Sequence, residues 1–131
     1  MYTLGNCAKR VISKRPFSPL FMIHLIELYK VSVIISPPSQ VALIVRSPAL
    51  KLADLSTVRL YMVGGGYLVD HLRKSLQDHL LYGALVVTYG MTEIAGVVST
   101  TMPFQKIADS VGKININTKV KVSSITTFIS L

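Results

Sequence analysis

Apolar residues come in short bursts along this chain, and the spacing inside the bursts alternates between two periods. Phe17, Leu20, Phe21, His24, Leu25 and Leu28 recur at steps of three and four, which predicts a helix with one apolar stripe. Ser18-Pro19 suits its start, with a capping hydroxyl and a proline in the first turn. Val31–Ile35 is short, β-branched and bounded by Ser36-Pro37-Pro38, so it reads as a buried strand. A short helix over Ser39–Arg46 and a loop over Ser47–Thr57 follow. Val58–Val63 reads as a second strand and ends in Gly64-Gly65-Gly66. Leu68, Leu72, Leu76 and Leu80 share one face of an amphipathic helix, with Asp70, Arg73, Lys74, Gln77 and Asp78 elsewhere around it. Ala84–Tyr89 reads as a third strand and Gly96–Thr101 as a fourth. Val111–Val122 alternates loosely, as a strand or a hairpin would.

Repeated strand–helix–strand units imply an α/β fold, a mostly parallel sheet flanked by helices. The near-continuous apolar strands imply a sheet covered on both faces. The tail VSSITTFISL is uncharged and β-prone, with no turn signal to close it, so it reads as an unpaired edge.

Composition sharpens this picture. The 131 residues fit one domain. Half are hydrophobic and only 15% are charged, below the usual quarter for a soluble domain. That excess predicts apolar surface intended to be covered, and association through it. The apolar runs at 31–35, 41–45 and 80–87 fall far short of the ~20 residues a bilayer span needs. The N-terminus has no apolar segment after its charges and the last three residues are Ile129, Ser130 and Leu131, so no secretory or peroxisomal address is legible. The single cysteine, Cys7, cannot pair within the chain. A net charge of +8 raises nucleic acid as a partner, but the basic residues are dispersed and lack interleaved aromatics or zinc-finger spacing. Nucleic acid is therefore not expected. His24, His71 and His79 have no metal-ligand spacing.

Chemistry concentrates after the second and third strands. Ligands of open α/β sheets bind beyond the carboxyl ends of strands. Two loops leave such ends, Gly64-Gly65-Gly66-Tyr67-Leu68 and Tyr89-Gly90-Met91-Thr92-Glu93. If their strands are neighbours, the loops face one another. The glycines allow backbone to approach a flat or charged ligand, because no Cβ intervenes. They are not a dinucleotide fingerprint, since Val69 stands where the last glycine would be, and no phosphate loop with its Gly-Lys-Ser/Thr ending is present. In the second loop Tyr89 offers a flat face for a purine, Gly90 permits close approach, Thr92 can bond a phosphate oxygen, and Glu93 suits a partly hydrated Mg²⁺. A plain turn leading into a helix start explains the same residues equally well.

The Tyr-Gly-Met-Thr-Glu run resembles the adenylate-forming superfamily, nearest to insect luciferase-like and 4-coumarate–CoA-ligase-like acyl-CoA synthetases. Three ordered blocks support the resemblance: residues 26–48 with their double proline, residues 52–68 ending in the glycines, and residues 110–122. It implies a partial adenylation (AMP-binding) domain over residues 1–122, an incomplete subdomain of such an enzyme, with 123–131 an unplaced tail. The family joins a carboxylic acid and ATP into an acyl-adenylate, then passes the acyl group to coenzyme A. By resemblance Gly64, Gly65 and Gly66 flank the adenine, Tyr89 stacks on it, and Gly90 and Met91 border the acyl pocket. Thr92 contacts the α-phosphate and Glu93 holds Mg²⁺. Thr92 and Glu93 are thus the expected catalytic pair.

The departures are specific. Gly66 and Tyr67 replace a small residue and proline, Val87 and Thr88 replace a polar residue and glycine, and Asp109 replaces a glycine. Thr88 is expected to crowd the base. The sequence contains neither the Ser/Thr/Gly-rich phosphate loop ending in Lys-Gly, nor the Tyr-x-Thr-Gly-Asp segment, nor the domain bearing the catalytic lysine. The expectation is a ligase fragment inactive alone. The alternatives are a non-catalytic nucleotide- or adenylate-binding module and the non-functional product of a truncated gene. Peroxisomal residence is an expectation from insect relatives only.

Overall fold

The computed structural model describes residues 8–103 and 110–121. The predicted tail at 123–131 lies outside them, as do Cys7 and Asp109. Three helices and five strands follow in chain order: α1 (Pro19–Tyr29), β1 (Val33–Ser36), α2 (Pro38–Arg46), β2 (Leu60–Val63), α3 (Asp70–Gln77), β3 (Ala84–Met91), β4 (Gly96–Thr100) and β5 (Lys113–Ile114). The spatial order of the sheet is the chain order. β1 and β3 both run parallel to β2, whereas β4 runs antiparallel to β3, and β5 to β4. The crossovers through α2 and α3 make the parallel half, and the hairpin after β3 adds the antiparallel half.

Parallel register defines two faces. Ile34, Tyr61 and Leu85 lie side by side, and so do Ser36, Val63 and Val87. This face packs on Val41 and Ile44 of α2, Leu76 of α3, and Leu50, Leu55 and Val58 from the connection between them. Ser47 starts that connection, its hydroxyl accepting from Ala49 N at 3.3 Å, and Pro48–Leu52 forms a 3₁₀ turn where a loop was expected. The opposite face is not evenly covered, contrary to the two-sided expectation. Val86 is buried there, but Val33 and Ile35 of β1 are 46% and 68% exposed.

Helix α1 departs from its predicted stripe. Ile23 and Ile26 are buried, while Leu20 and Leu28 are exposed. The segment PLFMIHLIELY is apolar nearly all round, so period alone could not select the buried face. Nor does the Ser18 hydroxyl cap it; the Ser18 carbonyl accepts Met22 N, as the first helical turn requires. Lys30, in left-handed conformation with φ 50°, ends the helix by returning its N–H to Ile26 O.

Helix α3 is shorter than the predicted 68–80. Leu68 and Leu80 are buried outside it, and Leu76 is fully buried within it. Its terminus is fixed by Gln77, whose Nε2 donates to Gly83 O at 3.0 Å while its Oε1 accepts Leu85 N at 2.8 Å. This side chain therefore carries the backbone hydrogen bonding from α3 into the start of β3. Gln77→Ala leaves Leu85 N and Gly83 O unpaired in a part-buried place, and should lower stability by about 1–3 kcal/mol in urea denaturation.

In the centre, the buried Ser36 hydroxyl donates to Tyr61 Oη at 3.0 Å across the strand pair. Burial raises the Tyr61 pKa above its ordinary 10.0, partly offset by this hydrogen bond. The neutral phenol is thus favoured in the fold. Its contribution is complete below about pH 10 and is lost as pH rises through the folded value, because the unfolded chain gives up the proton first. Stability should fall as pH rises from the ordinary value of 10.0 through the raised folded value, and Tyr61→Phe should flatten that part of the denaturation profile.

Candidate functional site

The site builds outward from the ends of β2 and β3. The two are hydrogen-bonded neighbours with Val63 opposite Val87, so the Gly-rich turn leaves β2 beside Thr88. Thr88 Oγ1 donates to Val63 O at 3.3 Å, and Gly64 N donates to Ser36 O at 3.3 Å. The three parallel strands thus hold the turn from both sides. Gly65 has φ +83°, a conformation that favours glycine, and its missing side chain would meet nothing within 4 Å among the described residues.

The second loop is less of a loop than the sequence suggests. Tyr89, Gly90 and Met91 continue β3 and pair with β4, with Tyr89 opposite Ser99, Gly90 opposite Val97 and Met91 opposite Gly96. Val98 is the extra residue of a bulge between the Tyr89 and Gly90 pairings. Gly90 is needed here for the hairpin itself, since a Cβ would fall 2.5 Å from Gly96 O. Thr92–Ile94 forms a single 3₁₀ turn, closed by Ala95 at φ 51° with its N–H on Thr92 O. A longer helix start does not follow Thr92. Tyr89, Met91, Thr92 and Glu93 are all exposed, with Tyr89 at 45%.

Two residues outside the expected set fix this arrangement. Thr101, buried, accepts Val87 N on its hydroxyl at 2.8 Å and donates its own N–H to Val87 O at 2.9 Å. Thr88 ties β3 to β2 one residue later. A threonine at the end of a predicted strand was the only signal for Thr101, and it is too common to stand out. Ser99 Oγ donates to Val111 O at 2.9 Å and brings the 110–112 segment beside the strands. Behind the glycine turn, Gly66, Leu68, Arg73, Val87, Ser110 and Val111 line a cavity of about 60 Å³, too small for a nucleotide. A larger open depression along α1, about 460 Å³, is lined by Arg15, Ser18, Phe21, His24 and Glu27 and shares no residue with either loop.

The donor set for a metal is sparse. Among the described residues no three His, Cys, Asp or Glu side chains converge. Glu93 is a single exposed carboxylate, which suits only an ion that keeps most of its water and bridges to phosphate. His79 Nδ1, in the turn after α3, meets Ser75 O of that helix at 2.8 Å, and His71 is exposed.

The sequence model of the AMP-binding enzyme family matches residues 1–127. This chain belongs to that family. Among curated relatives, 4-coumarate-CoA ligase 1 of Narcissus pseudonarcissus is 29% identical over 117 residues, covering 86% of this chain and 21% of the relative. The luciferase-like enzyme of the nonluminescent mealworm Zophobas morio superposes with a TM-score of 0.77 at 24% identity, over 86% of this chain and 28% of that one. An anthranilate CoA ligase in complex with anthranoyl-AMP superposes with a TM-score of 0.74 at 18% identity, over 82% of this chain and 21% of that one. The α/β fragment is therefore that of adenylate-forming enzymes, and the chain spans about a fifth of the length of the curated relative.

The two glycines of the site carry different loads. Gly90→Ala drives a Cβ into fixed hairpin backbone and should destabilise the chain by about 2 kcal/mol or more. Gly65→Ala strains only φ and should cost about 1 kcal/mol. Paired thermal melts of the two variants check the order.

Proposed function

We propose that residues 64–66 and 89–93 form one wall of an adenylation site in an acyl-CoA ligase. In this reading a carboxylic acid and ATP give an acyl-adenylate and pyrophosphate, and coenzyme A then takes the acyl group. The observation that carries it is the juxtaposition of the Gly-rich turn and the Tyr89–Glu93 segment on hydrogen-bonded parallel neighbours. The relatives' activities support it, since a 4-coumarate-CoA ligase is among the relatives and an anthranilate CoA ligase shares the fold.

Each residue takes a role its chemistry permits. Tyr89, held flat by strand pairing yet 45% exposed, offers its ring to the purine. Gly65 gives the backbone approach. Thr92 donates to the α-phosphate from the tight turn that follows β3. Glu93 would hold Mg²⁺ through its one carboxylate. Bound Mg²⁺ would neutralise charge on the phosphates during attack. Gly90 and Met91 line the acyl side.

One wall positions a nucleotide but does not complete the chemistry. Lysine or phosphate-loop donors to the departing pyrophosphate are not among these residues, and such charge stabilisation is commonly the largest catalytic term. The 131-residue chain should therefore bind AMP weakly and should not turn over. In ¹⁵N spectra, millimolar AMP should shift the Tyr89 and Gly65 amides, and an assay with ATP, coumarate and coenzyme A should give no product. Absence of any shift overturns the nucleotide reading. Turnover that is lost in Glu93→Ala overturns the claim of inactivity.

A further inference from the structure

The three consecutive glycines are not equivalent. A Cβ on Gly64 would fall 2.5 Å from Thr88 Oγ1, and one on Gly66 would lie 3.6 Å from the Pro38 ring. At Gly65 the same position is open among the described residues. The space freed by having no side chain at Gly64 is thus already filled, by a neighbour on the next strand. Thr88 is held there by its hydroxyl bond to Val63 O and by its pairing opposite Thr100. It is neither a free rotor nor a residue a ligand can push aside cheaply.

We propose that Thr88 is a specificity-determining residue of this wall: its side chain closes the Gly64 face, leaving a flat ligand to seat over Gly65, where the Cβ position is open. The proposal rests on the nucleotide reading above and refines it. A ligand that would lie across Gly64 meets the Thr88 hydroxyl, and one seated over Gly65 does not. Affinity for a planar base is accordingly limited by bulk at residue 88 rather than by the hydrogen bond it makes.

The test is AMP titration of the ¹⁵N-labelled full chain and three variants. Thr88→Ala removes the nearest crowding atom, Oγ1, while the residue-88 carbonyl oxygen stays 3.2 Å from that position, and should lower the Kd roughly tenfold, with the Gly64 amide now shifting. Thr88→Val keeps the bulk without the hydroxyl and should bind as weakly as the parent. Gly65→Asn keeps a residue type that tolerates positive φ but fills the open face, and should abolish the shifts. Thr88→Ala binding no better than the parent, or Thr88→Val behaving like Thr88→Ala, overturns the proposal while leaving the nucleotide reading intact. Gly65→Asn binding like the parent overturns it too, and does so even if Thr88→Ala does not fold. No shift in the parent or any variant overturns both readings together. A thermal cycle checks the steric premise without ligand. Gly64→Ala should lower the melting midpoint by about 5 °C or more in the parent, and clearly less beside Thr88→Ala. Equal losses in the two backgrounds refute it.

Discussion

Strand β3 changes partners between Val87 and Thr88, and everything in the candidate site depends on that change. Before it, Ala84–Val87 runs parallel to β2 and is buried; after it, Thr88–Met91 runs antiparallel to β4 and is largely exposed. A strand cannot leave one neighbour for another without stranding backbone donors, and buried donors left unpaired are costly. Thr101 resolves the first side by taking both polar groups of Val87. Thr88 resolves the second by bonding back to Val63 O. The Gly-rich turn then sits beside the handover because β2 ends one register step before it. Site geometry is in this sense a by-product of satisfying backbone at a junction.

The sequence was most legible where local chemistry and tertiary demand coincide. A short β-branched run before Pro37-Pro38 located β1, a run ending in three glycines located β2, and the leucine spacing located α3 to within a turn. It was least legible where several answers satisfy the same pattern. Helix α1 is apolar on nearly every side, so its buried face is chosen by packing. Gln77 looked like a solvated helix position, yet both ends of its amide are consumed by backbone across the following turn. The antiparallel hairpin was hidden because Tyr89-Gly90-Met91 reads as the end of a strand and the start of something else. Only pairing with Val97 and Gly96 reveals that the strand continues. The motif residues themselves were identified by resemblance to a family. Their neighbours Thr88 and Thr101 take on their structural roles through hydrogen bonds to residues 25 and 14 positions away in sequence, which no local period reveals.

The uneven burial of the sheet has the same origin as the unusual composition. Helices α2 and α3 cover one face, and nothing among the described residues shields Ile35 on the other. Exposed aliphatic side chains on a parallel sheet are atypical, since such sheets are normally covered on both sides. In relatives several times longer there is chain enough to cover them.

A wall differs from a pocket in what it can do with binding energy. Ligand pockets commonly enclose most of a small molecule, and that enclosure is what raises the worth of each polar contact by excluding water. Here the rigid half of the motif, Tyr89–Met91, is fixed by strand pairing, which is the more precise kind of support. The polar half, Thr92 and Glu93, sits in one short turn facing solvent. Precision without enclosure positions a base but leaves phosphate contacts competing with water, where a single carboxylate and a single hydroxyl gain little. In the proposed adenylation reading an order of strength follows: stacking and backbone approach would hold the ligand, and the acidic residue would matter only when the phosphates bring its ion with them. In that reading the wall contributes orientation rather than enclosure.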